Sequence, residues 1–188
     1  MKRTKEGFQG EKLGIVKTYQ PLPKLQAGQM YSNPRISFDG KNWFLSIGYE
    51  KQFEMLELTG VSLGIDVGIE KLAVCSDGEF KKNINKTKRV KHLEKKLRKE
   101  QRKLSRKLIY EKSLKDMKNI QKQNQMIRNL HKKLTDLRTN YLHQCSNEIV
   151  KTKPSQIVME HLNVRGMMKN KHLAKSIATQ KLSEFKRQ

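Results

Sequence analysis

Two acidic residues close short apolar runs in a way that suits a divalent cation. Asp66 stands in Gly64-Ile65-Asp66-Val67-Gly68, and Glu160 ends Ile157-Val158-Met159-Glu160. Glycines on both sides of Asp66 let a phosphate or a metal come close to the backbone. An Asp in such a place also serves as a turn former or cap, so Asp66 alone decides nothing. Glu160 shifts the balance: no charge precedes it for four residues, and a carboxylate buried there is costly without a cation or a hydrogen-bond partner. If the two runs pair as neighbouring strands, the carboxylates converge and a divalent ion relieves their repulsion. Mg²⁺ commonly takes one or two carboxylates and fills its shell with water and phosphate. A pair of such ions activates water and stabilises the leaving oxygen in phosphodiester hydrolysis. His161, next to Glu160, reads as a loop residue because Mg²⁺ prefers oxygen.

The elements that would position these acids follow from periodicity. Residues 1 to 34 carry Gly7, Gly10, Gly14, Pro21, Pro23, Gly28 and Pro34, which predicts strands and turns. Asp39-Gly40 separates alternating Ile36 and Phe38 from alternating Trp43, Leu45 and Ile47, the pattern of a β-hairpin with one buried face. Val61 to Val67 and Lys71 to Ser76 read as further strands, with a second turn at Asp77-Gly78. Beyond Lys88 the period becomes helical. Val90, Leu93, Leu97, Leu104 and Leu108 form one stripe; Met117, Ile120, Ile127, Leu130, Leu134, Leu137 and Tyr141 form another. A bend at Ile109 to Ser113, capped by Ser113, makes the two an antiparallel hairpin over about 88–152. Pro154 stops the second helix, Gln156 to Glu160 is a strand, Asn163 to Gly166 a loop, and a last basic helix runs from Leu173 to the end.

Charge sets the partner. The 188 residues hold 41 Lys+Arg against 18 Asp+Glu, a net +23. Residues 81 to 138 alone carry 22 basic and 5 acidic side chains. Pairing of opposite charges four residues apart needs comparable numbers of each sign. Lys95, Lys96, Arg98, Lys99, Arg102, Lys103, Arg106 and Lys107 have few acids to meet, which predicts a polyanion along the hairpin, gripped through phosphates, salt-sensitive and weakly sequence-selective. Helices that lie on lipid favour Trp and Phe, which these stripes lack, so no membrane partner is expected. Nor does any run approach the roughly 18 apolar residues of a bilayer span. Two cysteines, Cys75 and Cys145, suit buried positions in a reducing, cytoplasmic setting and offer no zinc site.

Taken in order, Gly64-Ile-Asp-Val-Gly-Ile-Glu-Lys-Leu-Ala73, the basic hairpin, Ile157-Val-Met-Glu-His-Leu-Asn-Val-Arg-Gly-Met167 and Leu173-Ala-Lys-Ser-Ile177 resemble the OrfB/TnpB family of transposon-encoded RNA-guided DNA endonucleases. The resemblance covers the chain from about Arg35. It implies an α/β architecture: an incomplete RNase H-like (RuvC) nuclease domain over residues 59–188 with the helical hairpin inserted. Residues 1–58 would form the end of a β-rich wedge domain that grips guide RNA. It also implies Asp66 and Glu160 as catalytic, Mg²⁺-binding acids, guide RNA and DNA target as partners, and a role in transposition. Family members have a larger N-terminal part and continue through a four-cysteine zinc ribbon to a third acid. This sequence has neither, and Asp77, Glu79 and Glu184 do not fit that role. Leu182 stands where an aromatic residue is usual, and His161 where an acid is common. The resemblance therefore implies a nuclease that is slow or inactive alone; the alternative is a nucleic-acid-binding module without catalysis. A sugar-kinase or actin-like ATPase reading of Gly64 to Gly68 would need a second phosphate loop, which is not found, and would leave the basic hairpin without a role.

Overall fold

A computed structural model of the chain describes residues 2–40, 42–51, 55–110 and 114–188, the side chains of 110 and 114–116 excepted. It divides into two units, residues 1–55 and 56–188.

The first unit is built from β-structure. Strands β1 (Lys2–Arg3), β2 (Gly7–Gly10) and β3 (Gly14–Lys17) form an antiparallel sheet. Strands β4 (Ser32–Phe38) and β5 (Trp43–Gly48) form the hairpin announced by Asp39-Gly40. Asp39 Oδ1 accepts from the Asn42 amide at 2.8 Å, and Gly40 takes a φ of 91° that a side chain would disfavour. The expectation of a buried hairpin face is corrected. Every residue of β4 is exposed, and Trp43 retains 72% of its surface, its ring 4.8 Å from that of Phe38. Alternation established the pairing but not a cover: a two-stranded ribbon buries a face only when something else packs on it.

The second unit carries the acids. Strands β6 (Thr59–Val67), β7 (Lys71–Cys75) and β8 (Phe80–Lys82) make an antiparallel meander, and β9 (Pro154–Met159) joins β6 in parallel, giving the order β8-β7-β6-β9. A 3-10 turn at Ile84–Lys86 leads into helix α1 (Lys88–Tyr110), and helix α2 (Leu114–Lys151) returns. The Ser113 cap lies outside the described residues. One core joins Leu63, Ile65 and Val67 of β6 and Leu72 of β7 to Leu142, Cys145 and Ile149 at the C-terminal end of α2. A second joins Val90, Leu93 and Leu97 of α1 to Leu130 and Leu134 of α2. The outer ends of both stripes stay open: Leu108 is 56% exposed and Met117 52%.

After β9 come a short helix α3 (Val164–Met167) and, in place of one terminal helix, two: α4 (Ala174–Gln180) and α5 (Leu182–Arg187). Lys181 between them is left-handed at φ 56°. The break has a packing reason. Ile177, Leu182 and Phe185 are all buried in the sheet core, yet a step of five residues from 177 to 182 turns 500° on a straight helix of 100° per residue and separates them. The kink restores a common face, and Lys181 Nζ donates to Thr139 Oγ1 at 2.8 Å.

A polar contact crosses the hairpin where the apolar stripe thins. Gln123 Nε2 donates to Glu100 Oε2 at 2.8 Å, and Lys103 Nζ reaches Oε1 at 2.9 Å, with the Glu100 side chain only 8% exposed. Donation by Gln123, and next by Lys103, holds the Glu100 carboxyl below its ordinary range.

Two outcomes follow for the hairpin. Leu134→Ala, at a site 3% exposed, should cost about 2–5 kcal/mol in urea unfolding, whereas Leu108→Ala should stay within about 0.5 kcal/mol. For Glu100, the unfolded chain binds the proton more readily than the folded one. Its stabilisation is complete above the ordinary glutamate value of about 4.3 and is lost as pH falls through the lower folded-state value. Glu100→Gln should flatten the pH dependence of the urea midpoint in that acid window, and an unchanged slope would remove this assignment.

Candidate functional site

The geometry of the acids comes from the β6–β9 ladder. Its registered pairs run Leu63 with Ile157, Gly64 with Val158 and Ile65 with Met159. The next residue on each chain is Asp66 on β6 and Glu160 just past β9, so the two acids occupy adjacent positions on adjacent strands, whose axes lie roughly 4.8 Å apart. Ile65 is 5% exposed on the helix-covered face, and Met159 packs against the same core. Asp66 lies on the opposite face, and both it and Glu160 are solvent-exposed. The expected burial of Glu160 is thereby corrected: the residue is exposed, as is Val158 two positions before it.

Neither the Asp66 nor the Glu160 carboxylate enters a hydrogen bond or ion pair among the described residues. Two neighbouring carboxylates with open lone pairs, in a chain that is rich in cations elsewhere, are a donor set that fits a hard divalent ion finished by water or phosphate. No group of three or more His, Cys, Asp or Glu side chains suited to a metal occurs among the described residues. The neighbouring candidates are otherwise engaged. Lys186 Nζ lies 3.4 Å from His161 Nδ1. Glu184 pairs with Arg187 at 2.8 Å and Glu79 with Lys81 at 3.4 Å. Cys75 and Cys145 are free and buried, and burial pushes both thiols up, away from the thiolate form that metals and electrophiles need.

The loops flanking the acids are fixed by side chains. Past Glu160, Asn163 Oδ1 accepts from the Gly166 amide at 2.9 Å and caps α3. Past Asp66, the turn from β6 into β7 offers two carbonyls to buried amides: Gly68 O accepts from Gln180 Nε2 at 3.1 Å, and Ile69 O from Asn83 Nδ2 at 2.7 Å.

The eight basic residues predicted on α1 divide by direction. Lys95, Arg98, Lys99, Arg102 and Arg106 recur at three- and four-residue steps, are exposed, and form no ion pair among the described residues. Lys103 instead pairs within α1 with Glu100, three residues before it, and Lys107 reaches across to Gln123 Oε1 of α2 at 3.1 Å. Lys96 lines a groove between the helices, about 420 Å³ in volume, together with Lys122 and Lys133 of α2 and an exposed Met126. Lys122 and Lys133 carry no signal in the sequence that ties them to Lys96. They lie 26 and 37 residues from Lys96 along the chain and meet it only when the helices pair. Asn83, Asn85, Arg138 and Gln180 likewise carry no charge run and no motif.

Comparison with known proteins agrees with the order of these parts. Residues 46–171 match the OrfB family, described as a probable transposase. A Streptomyces pristinaespiralis protein provisionally named an RNA-guided DNA endonuclease is 30% identical over 180 residues, 93% of this chain and 42% of its own length. InsQ of Escherichia coli K12, with the same provisional name, is 32% identical over 172 residues, 86% of this chain and 40% of its own. The chain thus spans about two fifths of the length of these curated relatives. With the match running through both acid-bearing strands and the whole basic hairpin between them, the chain belongs to the OrfB/TnpB family of probable transposases.

Proposed function

We propose that residues 56–188 form the acid-bearing part of an RNase H-like, RuvC-type nuclease that acts on DNA under RNA guidance in transposition. The observation that carries this reading is the parallel β6–β9 ladder, which brings Asp66 and Glu160 to adjacent positions with open carboxylates. The strand order supports it: an antiparallel meander with a fourth strand parallel to its first, joined by a long crossover. Asp66 and Glu160 would hold Mg²⁺ by one or two oxygens each. Bound there, Mg²⁺ would supply activation of water and charge neutralisation at the scissile phosphate. The exposed stripe of α1 would hold the nucleic acid backbone, and the β-structure of residues 1–55 would contribute to gripping guide RNA. With two carboxylates in place of a larger ligand set, cleavage by this chain alone is expected to be slow.

A second reading, nucleic-acid binding without catalysis, is favoured by the one fact that no three-ligand cluster occurs among the described residues. Cleavage assays with Mg²⁺, guide RNA and target DNA separate the two. The nuclease reading expects slow cleavage that falls by about 10²–10⁴-fold, the scale of losing a group that acts on the reacting atoms, in Asp66→Ala and in Glu160→Ala. Equal background in all three leaves binding as the function.

Binding has its own test. Each phosphate neutralised by Lys or Arg contributes about 0.7 to 0.9 to the slope of log affinity against log salt. Replacing Lys95, Lys99 and Arg102 by Gln should lower that slope by about 2 to 3, and a salt-independent affinity would sink the interface placed on α1.

A further inference from the structure

We propose that Gln180 and Asn83 are positioning residues for Asp66, and that Arg138 at the foot of the basic hairpin fixes how Gln180 points. This rests on the reading of Asp66 and Glu160 as a metal-holding pair. Asp66 is the second-last residue of β6, and its carboxylate has no protein partner among the described residues. No partner among the described residues holds the side chain directly, so its place depends on its backbone, which is registered with Val74 of β7 and runs on into a turn. That turn, at Gly68 and Ile69, is closed by the weak Gly68 N to Leu72 O bond at 3.3 Å. Gln180, 4% exposed, and Asn83, 9% exposed, each spend a buried amide donor on one carbonyl of this turn. Each buried donor would itself be left unpaired if its carbonyl moved away, which favours one geometry of the turn.

The direction of these amides is itself determined. Arg138 is a donor only. Its Nε donates to Asn85 Oδ1 at 2.7 Å, while its Nη2 donates to Glu94 Oε1 of α1 at 2.8 Å. With its oxygen facing Arg138, Asn85 must turn its Nδ2 the other way, where it donates to Gln180 Oε1 at 3.2 Å and to Thr179 O at 3.2 Å. Gln180 is then left with its own Nε2 facing Gly68 O. The backbone N–H of Asn85 donates to Asn83 Oδ1 at 2.8 Å, which orients the second amide toward Ile69. One guanidinium thus sets the sense of two carboxamides, Asn85 and Gln180, and the backbone of Asn85 sets the third, Asn83. Neutral side chains can do this without adding a charge near the acids.

Supporting partners of metal ligands typically carry about 10- to 100-fold in metal affinity. The test is Mn²⁺ binding to the full chain followed by electron paramagnetic resonance, well below each variant's melting temperature. Asp66→Ala serves as reference. Gln180→Met keeps the volume and the net charge and removes the donor; it should weaken Mn²⁺ binding about 10-fold. Arg138→Gln serves if Gln180→Met does not fold. It makes the protein less positive, which by long-range electrostatics alone would strengthen cation binding, yet the proposal expects binding weakened several-fold. If wild-type Mn²⁺ binding is not reduced by Asp66→Ala, the metal pair itself is wrong and the proposal falls with it. If Asp66→Ala abolishes binding while Gln180→Met, or Arg138→Gln in its place, lowers the melting temperature and leaves Mn²⁺ affinity unchanged, the metal pair stands and the positioning role is refuted.

Discussion

Most of the second unit follows from the parallel pairing of β6 with β9. A parallel pair cannot be closed by a tight turn and needs a crossover of a dozen residues or more. Here the crossover runs from Gly68 to Lys153 and holds two strands and the two long helices. A helix of 38 residues is about 57 Å long at 1.5 Å per residue, whereas the nine residues of β6 span about 30 Å. Only the C-terminal part of α2, through Leu142, Cys145 and Ile149, finds sheet to cover. Its preceding turns must bury their stripe elsewhere, and α1 supplies the surface through Val90, Leu93 and Leu97. The sheet's connection thereby becomes a long helical pair with a solvent-facing side, and that side carries the positive charge.

Gathering that charge has a structural cost, and the hairpin meets it by position. Its apolar seam is narrow, with buried residues confined to Val90 to Leu97 on one helix and Leu130 to Leu134 on the other. Farther out, Glu100, Gln123, Lys103 and Lys107 replace apolar contact with directional hydrogen bonds. Lys103 and Lys107 spend their ammonium groups on Glu100 and Gln123, whereas Lys95, Arg98, Lys99, Arg102 and Arg106 form no ion pair among the described residues. Near the sheet, Lys81, with a side chain 13% exposed, is held between Glu148 at 2.7 Å and Glu79 at 3.4 Å. Basic residues at the root of the helices serve the fold, and those farther out on α1 are left for a partner.

Legibility in the sequence followed the range of the interaction. Strands β6, β7 and β9, both helices of the hairpin and the Asp39-Gly40 and Asp77-Gly78 turns were readable because each rests on local periodicity or on turn chemistry. The acids were readable because a charge at the end of an apolar run is conspicuous. Burial was not. Ile36, Phe38 and Trp43 alternate like a covered strand and remain exposed, since cover depends on chain far away. The break at Lys181 was hidden for a related reason: a helical stripe through Ser183 and Glu184 continues smoothly, and only the position of the sheet core requires Leu182 and Phe185 to turn inward. Least readable was the carboxamide relay from Arg138 to Gly68, whose successive members are 53, 95 and 112 residues apart. Asn and Gln carry no signature until a tertiary partner assigns their donors and acceptors.

The separation of charge between hairpin and strand ends bears on when a metal would be held. At a net charge of +23, the free chain repels divalent cations, and two exposed carboxylates must compete with that field. Screening shortens it to about 8 Å at physiological ionic strength, so only the basic groups nearest the acids weigh on the site directly. On the proposed reading, a nucleic acid lying on α1 would cancel the long-range repulsion, and a phosphate reaching the acids would fill the coordination that two carboxylates leave open. By linkage, whatever a bound polyanion adds to metal affinity, the metal returns to polyanion affinity. On the reading proposed for this family member, metal and nucleic acid are therefore expected to bind as mutually supporting ligands, and the neutral relay through Asn85 and Gln180 lets the hairpin brace Asp66 without placing another positive charge beside it.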